Sequence, residues 1–458
     1  MSDQLRSLLE DVAATIDPVP LQRDPWRRAV RARRVGQLLS SAAALAVVVA
    51  LIGGWLAWDR HRLSGGQGEP SQGPSAPAIP SDLYAPAPWT PSLEEGEPFG
   101  QVAAFGSADW RPHFYSSQRS AIYVVSATTG VYRFLDLPGI GDTSPGDTVA
   151  LSPNGRYVAY SVATPTPVTG TPGPASIRFW DAETGQVTQV AIDSDRGSSQ
   201  TGLSWSPDSN LLAFGVGRYT KPSGGGARWA TDVVDVDAGE ITLDKAGGPT
   251  DVTGWTADSQ RAVWGSRLRS IDVTTGRDSA LLRSPLPINV KSWASSPDGR
   301  LWVAGFDAKR VELVNVDTGG VRPLRVPPGT SFDKTSVFWI NNDEVAVATT
   351  SGPDSRSQFG VWSVNIHSNG MSELVRSHAG ADCDISSFAT DLLTEPTRQA
   401  TKPDWGKDPR VWFSWIVVAI FGLAVGLVLW TPIWPVAPRV RTSQDARLSG
   451  LDGDSPKD

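Results

Sequence analysis

The residues able to do chemistry are few and badly placed for it. Four histidines, His61, His113, His367 and His378, stand far apart, and no His or Cys pair has zinc-ligand spacing. The single cysteine, Cys383, excludes a disulfide-stapled fold and any cysteine-based metal site, and is expected as an unpaired, partly buried thiol. DVDAG at Asp235 has the acidity of a calcium loop but lacks its third oxygen ligand and downstream Glu. No G-x-S-x-G nucleophile elbow occurs. The sequence therefore assigns no catalytic, cofactor-binding or metal-ligating residue, and no cofactor is expected.

The aromatic and acidic residues carry more, because they recur. LSWSPDSNLLAFGVG, from Leu203, places two short apolar runs around a Ser-Pro-Asp-Ser turn. Related copies are VALSPNGRYVAYSV from Val149, TGWTADSQRAVWGS from Thr253, SSPDGRLWVAGF from Ser295 and VFWINNDEVAVATT from Val337. Leu151, Trp205, Trp255 and Trp339 precede the turn, where a bulky side chain packs between sheets. Asp208, Asp258 and Asp298 can accept backbone N–H bonds inside it. Trp229 lies outside this register and is the one tryptophan to weigh as a ligand-stacking residue.

A second hairpin signature recurs six times: VVSATTGV at Val124, FWDAETGQ at Phe179, VVDVDAGE at Val233, SIDVTTGR at Ser270, LVNVDTGG at Leu313 and SVNIHSNG at Ser363. Its closing glycines, Gly130, Gly185, Gly239, Gly276, Gly319 and Gly370, recur every 37 to 55 positions. Each is expected to supply the positive φ of a bulged hairpin turn. Two hairpins per repeat give four antiparallel strands, and this period selects a β-propeller over a sandwich or solenoid. The fold class is all-β, a six-bladed propeller. Residues 83 to 117 and 378 to 393 could add a seventh blade or a closing strand.

The S-P-[DN]-[GS] turn followed by an apolar strand resembles the TolB-like, WD-repeat-like propellers of membrane-anchored bacterial type, over roughly residues 100 to 393. That resemblance implies the fold and leaves function open, since propellers host binding, scaffolding and catalysis on one frame.

Outside the repeats, residues 35–58 and 411–430 are uncharged runs long enough to cross a bilayer as helices. Arg23, Arg27, Arg28, Arg31, Arg33 and Arg34 precede the first, against Arg60 and Arg62 after it. Arg439, Arg441 and Arg447 follow the second, against Lys402, Lys407 and Arg410 before it. The positive-inside rule puts both termini in the cytoplasm and the propeller outside. The domain plan is 1–34, a cytoplasmic segment with an amphipathic helix; 35–58, a span; 59–99, a Pro/Gly/Ser-rich linker; 100–393, the propeller; 394–410, a return linker; 411–430, a span; and 431–458, a cytoplasmic tail. With a formal net charge of −7 and its basic residues gathered at the membrane flanks, the chain has no electrostatic footprint for nucleic acid. The expected partners are the lipid bilayer, a protein or envelope ligand on the propeller, and a cytoplasmic partner for the helix of residues 2 to 16.

Two blades carry long insertions between their second and third strands, TPTPVTGTPGPAS from Thr164 and RYTKPSGGGARWA from Arg218. All such connections emerge on one propeller face, opposite the tight turns. The candidate interaction surface is therefore Thr164, Thr166, Thr169, Arg218, Tyr219, Lys221, Arg228 and Trp229. The expected function is an extracytoplasmic binding, sensing or scaffolding module without enzymatic activity. The alternative is a propeller enzyme (hydrolase, lyase or dehydrogenase) with its active site in the central channel.

Overall fold

In the computed structural model, residues 2–15 and most of 76–430 are described. Within the second range, 113–115, 141–147, 166–171, 193–197, 220–226, 247–251, 253, 265–267, 283–291, 306–309, 327–329, 332–336, 352–357, 379–382, 401 and 407 lie outside the description. Two compact units divide the chain: Ala57–Asp408, and Met1–Leu56 with Pro409–Asp458.

The larger unit holds six sheets, each antiparallel among its four principal strands, here a to d from the axis outward. Strands b, c and d of blade 1 are Val102–Trp110, Arg119–Ser126 and Tyr132–Leu135. Blade 2 comprises Val149–Leu151, Tyr157–Pro165, Pro172–Asp181 and Val187–Ala191. Ser198–Trp205, Leu211–Tyr219, Ala227–Asp235 and Glu240–Ala246 form blade 3. The smaller blade 4 is Gly254–Trp255, Arg261–Trp264, Arg269–Asp272 and Asp278–Ala280. Next comes blade 5, with Ser292–Ser295, Leu301–Gly305, Val311–Asn315 and Val321–Leu324. Blade 6 has Val337–Asn341, Glu344–Ser351, Gln358–Asn365 and Met371–Ser377, with Thr330–Ser331 also on the inner edge of its strand b.

Among the described residues there is no seventh sheet. Cys383–Phe388 pairs with Val102–Trp110 and becomes strand a of blade 1, so the last strand closes the ring against the first blade. The side chain of Cys383 lies outside the description.

The repeated turn is a repeated hydrogen-bond device. Ser206 Oγ donates to Asp208 Oδ1 at 2.6 Å and accepts the Leu211 N–H at 2.9 Å. Ser152 with Asn154, Thr256 with Asp258 and Ser296 with Asp298 do the same. The turns also join around the ring: the Asn154 N–H donates to Ser209 Oγ at 3.0 Å, and the Asp208 N–H to Ser259 Oγ at 3.2 Å. Ser209 and Ser259 sit at φ 63 and 58, a left-handed backbone costing a non-glycine residue about 1–2 kcal/mol. The inter-blade bond each hydroxyl accepts offsets part of that cost.

The in-register tryptophans link blades as well. The indole N–H of Trp205 donates to Ala150 O, that of Trp255 to Ser204 O and that of Trp339 to Ala294 O, at 3.2, 3.0 and 2.9 Å. In each case a strand a hooks the backbone of the preceding blade. Apolar layers fill the seams, such as Ala159, Phe179, Leu212 and Phe214 between blades 2 and 3. The largest layer extends from blade 6 through blade 1 to blade 2, where the chain ends meet.

The second hairpin signature forms the c–d turns. In blade 6 the left-handed residue is Asn369, at φ 54, rather than Gly370. Aligned from Asn365, whose carboxamide caps the turn as Asp181 does in blade 2, Asn369 holds the place of Gly185.

The linkers are shorter than their composition implies. Asp82–Leu83 adds in parallel to the outer strand of blade 6, and Ser92–Leu93 to that of blade 1. Ile79, Leu83 and Leu93 are buried. Prolines keep this stretch extended without requiring N–H donors, and isolated apolar residues suffice to seat it on a sheet edge. On the return side, the Arg398 N–H donates to Ile79 O at 2.9 Å, and the Trp405 ring meets Tyr132 edge-on at 5.2 Å.

In the smaller unit, α1 is Ser2–Thr15, with Leu8, Leu9 and Val12 exposed. Pro409–Trp430 forms a 22-residue helix, α2, whose Trp415, Val418 and Phe421 are exposed. Among the described residues no helix is long and apolar enough to cross a membrane. The side chains of residues 409, 412, 413 and 423–430 fall outside that description; the uncharged run within α2 is 411–430. The expected span at 35–58 also lies outside the described residues.

Candidate interaction face

The two propeller faces differ in what they expose. On the a–b and c–d side, the acidic side chains serve the turns. Asp298 Oδ1 accepts the Ser296 hydroxyl and the Arg300 N–H, and that hydroxyl bond leads the causes lowering its pKa. Asp272 accepts two backbone N–H groups and the Thr275 hydroxyl, with the Thr275 N–H foremost in holding its carboxyl below the usual range. These carboxylates act as backbone caps. Among the described residues no group of three or more His, Cys, Asp or Glu is arranged to hold a metal ion.

The opposite side is where strands b and c join, and among the described residues the b–c ladders leading to it are of uneven length. Strand b has nine residues in blades 1, 2 and 3 and eight in blade 6. It has only four in blade 4 and five in blade 5. The a–b and c–d turns bound each hairpin, and residues 206 to 235 separate them in blade 3 against 256 to 272 in blade 4. Among the described residues the b–c ladders of blades 4 and 5 are therefore shorter than that of blade 3 beside them.

The expected insertions are largely strand. Thr164 is the penultimate residue of strand b of blade 2, whose ladder ends at the pair Pro165 and Pro172. In blade 3, Arg218 pairs with Arg228, Tyr219 with Ala227 and Gly217 with Trp229. Only 166–171 and 220–226 interrupt these hairpins, so Thr166, Thr169 and Lys221 lie outside the described residues. A loop reading of the Pro/Gly/Thr composition missed the ladder because its tips mask the strand alternation on either side.

Trp229 is half-buried and, among the described residues, makes no hydrogen bond or ring contact and belongs to no core cluster. Its cross-strand neighbour Gly217 has no side chain to cover it. Strand alternation puts Trp229 on the same side as Val233, which packs with Ala262 and Ile271 of blade 4. Trp264 packs against that same cluster, with the Arg269 guanidinium 5.7 Å from its ring centroid and ion-paired to Asp278. These blade 4 residues escaped the sequence reading. The available signal was the shortness of their repeat.

No family model matches this chain, and no curated protein does. Solved structures give low-level similarities. A chain of a mitotic checkpoint complex has 17% identity and a TM-score of 0.33, covering 52% of this chain and 88% of its own. An oligogalacturonate lyase from Vibrio parahaemolyticus has 12% identity and a TM-score of 0.35, covering 56% and 72%. An oligogalacturonate lyase in complex with manganese has 14% identity and a TM-score of 0.35, covering 56% and 71%. Likenesses of this size carry no functional argument, and the propeller stands on this chain's own sheets.

Proposed function

We propose that the protein is a membrane-anchored binding module whose propeller stands outside the membrane and engages an envelope or protein ligand through its b–c face. The observation carrying this reading is the uneven length of the described b–c ladders, short in blade 4 beside a long one in blade 3 whose Trp229 indole is unpartnered among the described residues. Recesses rimmed by aromatic side chains are where propeller-sized ligands gain contact area. The uncharged runs at 35–58 and 411–430, and the exposed apolar side chains of α2, support two spans; the arginine cluster at 23–34 supports cytoplasmic termini. The repeated S-P-[DN]-[GS] hairpins support a place beside the TolB-like propellers of membrane-anchored bacterial type. The exposed apolar stripe of α1 supports a cytoplasmic contact.

Face-specific cross-linking tests the reading. A photoreactive residue at 229 in intact membranes should give defined adducts, and the same residue at exposed Thr318, in the c–d turn of blade 5, should not. Equal adducts at both positions would reject the b–c face. Conversion of a captured saccharide into shortened products would instead make the protein a propeller enzyme.

A further inference from the structure

The step between blades 3 and 4 has a chemistry that names a ligand class. We propose that it is a stacking site for a neutral oligosaccharide, with Trp229 as platform and Arg269 with Asp278 as the hydrogen-bonding pair. This rests on the binding-module reading and goes further by naming the ligand.

The repeat fixes the geometry. The turns Ser206–Leu211 and Thr256–Arg261 correspond, so Phe214 and Trp264 occupy the same level in their blades. Trp229 pairs with Gly217, three positions beyond Phe214. Its indole therefore stands about 10 Å further along the strand direction than Trp264, at roughly 3.3 Å per residue. The described b–c ladder of blade 4 stops at the pair Trp264 and Arg269, and the sequence leaves only residues 265–268 to connect them. Trp229 thus stands beyond the end of that ladder, on the side that faces blade 4.

Each feature suits a sugar ring. An indole face carries negative charge density, and the electropositive C–H groups of a pyranose lie flat against it. Gly217 opposite leaves that platform clear of a cross-strand side chain. A guanidinium paired with a carboxylate sets donors beside acceptors, the pattern that vicinal hydroxyls satisfy. The pair balances its own charge, so it favours a neutral ligand over an anionic one. Two indoles at different heights along one seam fit an oligomer better than a single ring. Trp205, Trp255 and Trp339 have no comparable freedom, since each N–H is already bonded to the preceding blade.

The test is a calorimetric titration of the purified full-length protein in nanodiscs with maltohexaose and with N-acetylchitotetraose. At least one should bind. Trp229→Ala should weaken binding tenfold or more while leaving the melting temperature unchanged, because among the described residues its ring joins no core cluster, and Trp229→Phe should retain most of the affinity. Asp278→Asn should weaken binding several-fold. No binding of either saccharide, or unchanged binding by Trp229→Ala, overturns the assignment. Binding of decaproline in their place, lost in Trp229→Ala, also overturns it and gives the platform to an extended peptide. The titration is independent of topology, so its failure leaves the outward-facing propeller standing.

Discussion

Replacing Gly155 by alanine isolates what the ring closure costs to disturb. Gly155 occupies the fourth place of the blade 2 turn at φ +71, and an added Cβ would lie 2.3 Å from Val102 O and 3.1 Å from the Ala389 side chain. Val102 opens strand b of blade 1, and Ala389 directly follows the closing strand, so the clash falls where first and last strands meet. Gly299 holds the same place in blade 5 at φ +73, with nothing within 4 Å of the added atom. Both substitutions incur the left-handed backbone cost of about 1–2 kcal/mol. Only Gly155→Ala adds overpacking of about 1–3 kcal/mol and threatens the bond from the Val102 N–H to Gly155 O, 2.8 Å long. The expected losses are about 1–2 kcal/mol for Gly299→Ala and about 2–5 kcal/mol for Gly155→Ala. Urea titration of each full-length variant in detergent, followed by tryptophan emission, measures the difference. Equal losses would refute the close approach at the closure.

Two further outcomes follow from named contacts. Ser209→Gly relieves the strained backbone and loses the hydroxyl bonded to Asn154, whereas Ser209→Ala loses the bond and keeps the strain; the alanine variant should therefore unfold at lower urea, by about 1–2 kcal/mol, and the reverse order would remove the strain argument. The pKa of Asp82 is lowered, chiefly by its hydrogen bond to His378 at 2.8 Å and then by that from Ser81. A depressed folded-state pKa contributes stability above the unfolded value of 3.8 that is lost as pH falls through the folded pKa. Urea midpoints measured from pH 6 down to pH 2 should thus fall less steeply for Asp82→Asn than for the native chain, and parallel curves would remove the Asp82–His378 bond as a source of stability.

Much of the architecture was legible because the turn chemistry repeats. Ser206 with Asp208 and its counterparts do the same bonding in each blade, so composition and spacing alone disclosed four strands per repeat. Trp205 and Trp255 were readable as buried for the same reason. The belt at 76–99 was hidden because its contacts are made by single residues, Ile79, Leu83 and Leu93, seated on strands remote in sequence; no local periodicity encodes them. In the blade 6 turn the left-handed place falls to Asn369 and not to Gly370, because asparagine tolerates the conformation that glycine was expected to supply. Trp229 was legible as an outlier from the repeat. Trp264, Arg269 and Asp278 were not, because their role depends on the height of a neighbouring blade.

The outward display of the propeller is tested most directly by cysteine labelling in a Cys383→Ser background. Asp317→Cys, in an exposed c–d turn of blade 5, and Ser7→Cys, on the exposed surface of α1, are treated with a membrane-impermeant maleimide in intact cells and after lysis. An outward-facing propeller gives full labelling at 317 in intact cells and labelling at 7 only after lysis. Labelling of 317 confined to the lysate would place the propeller inside and contradict it.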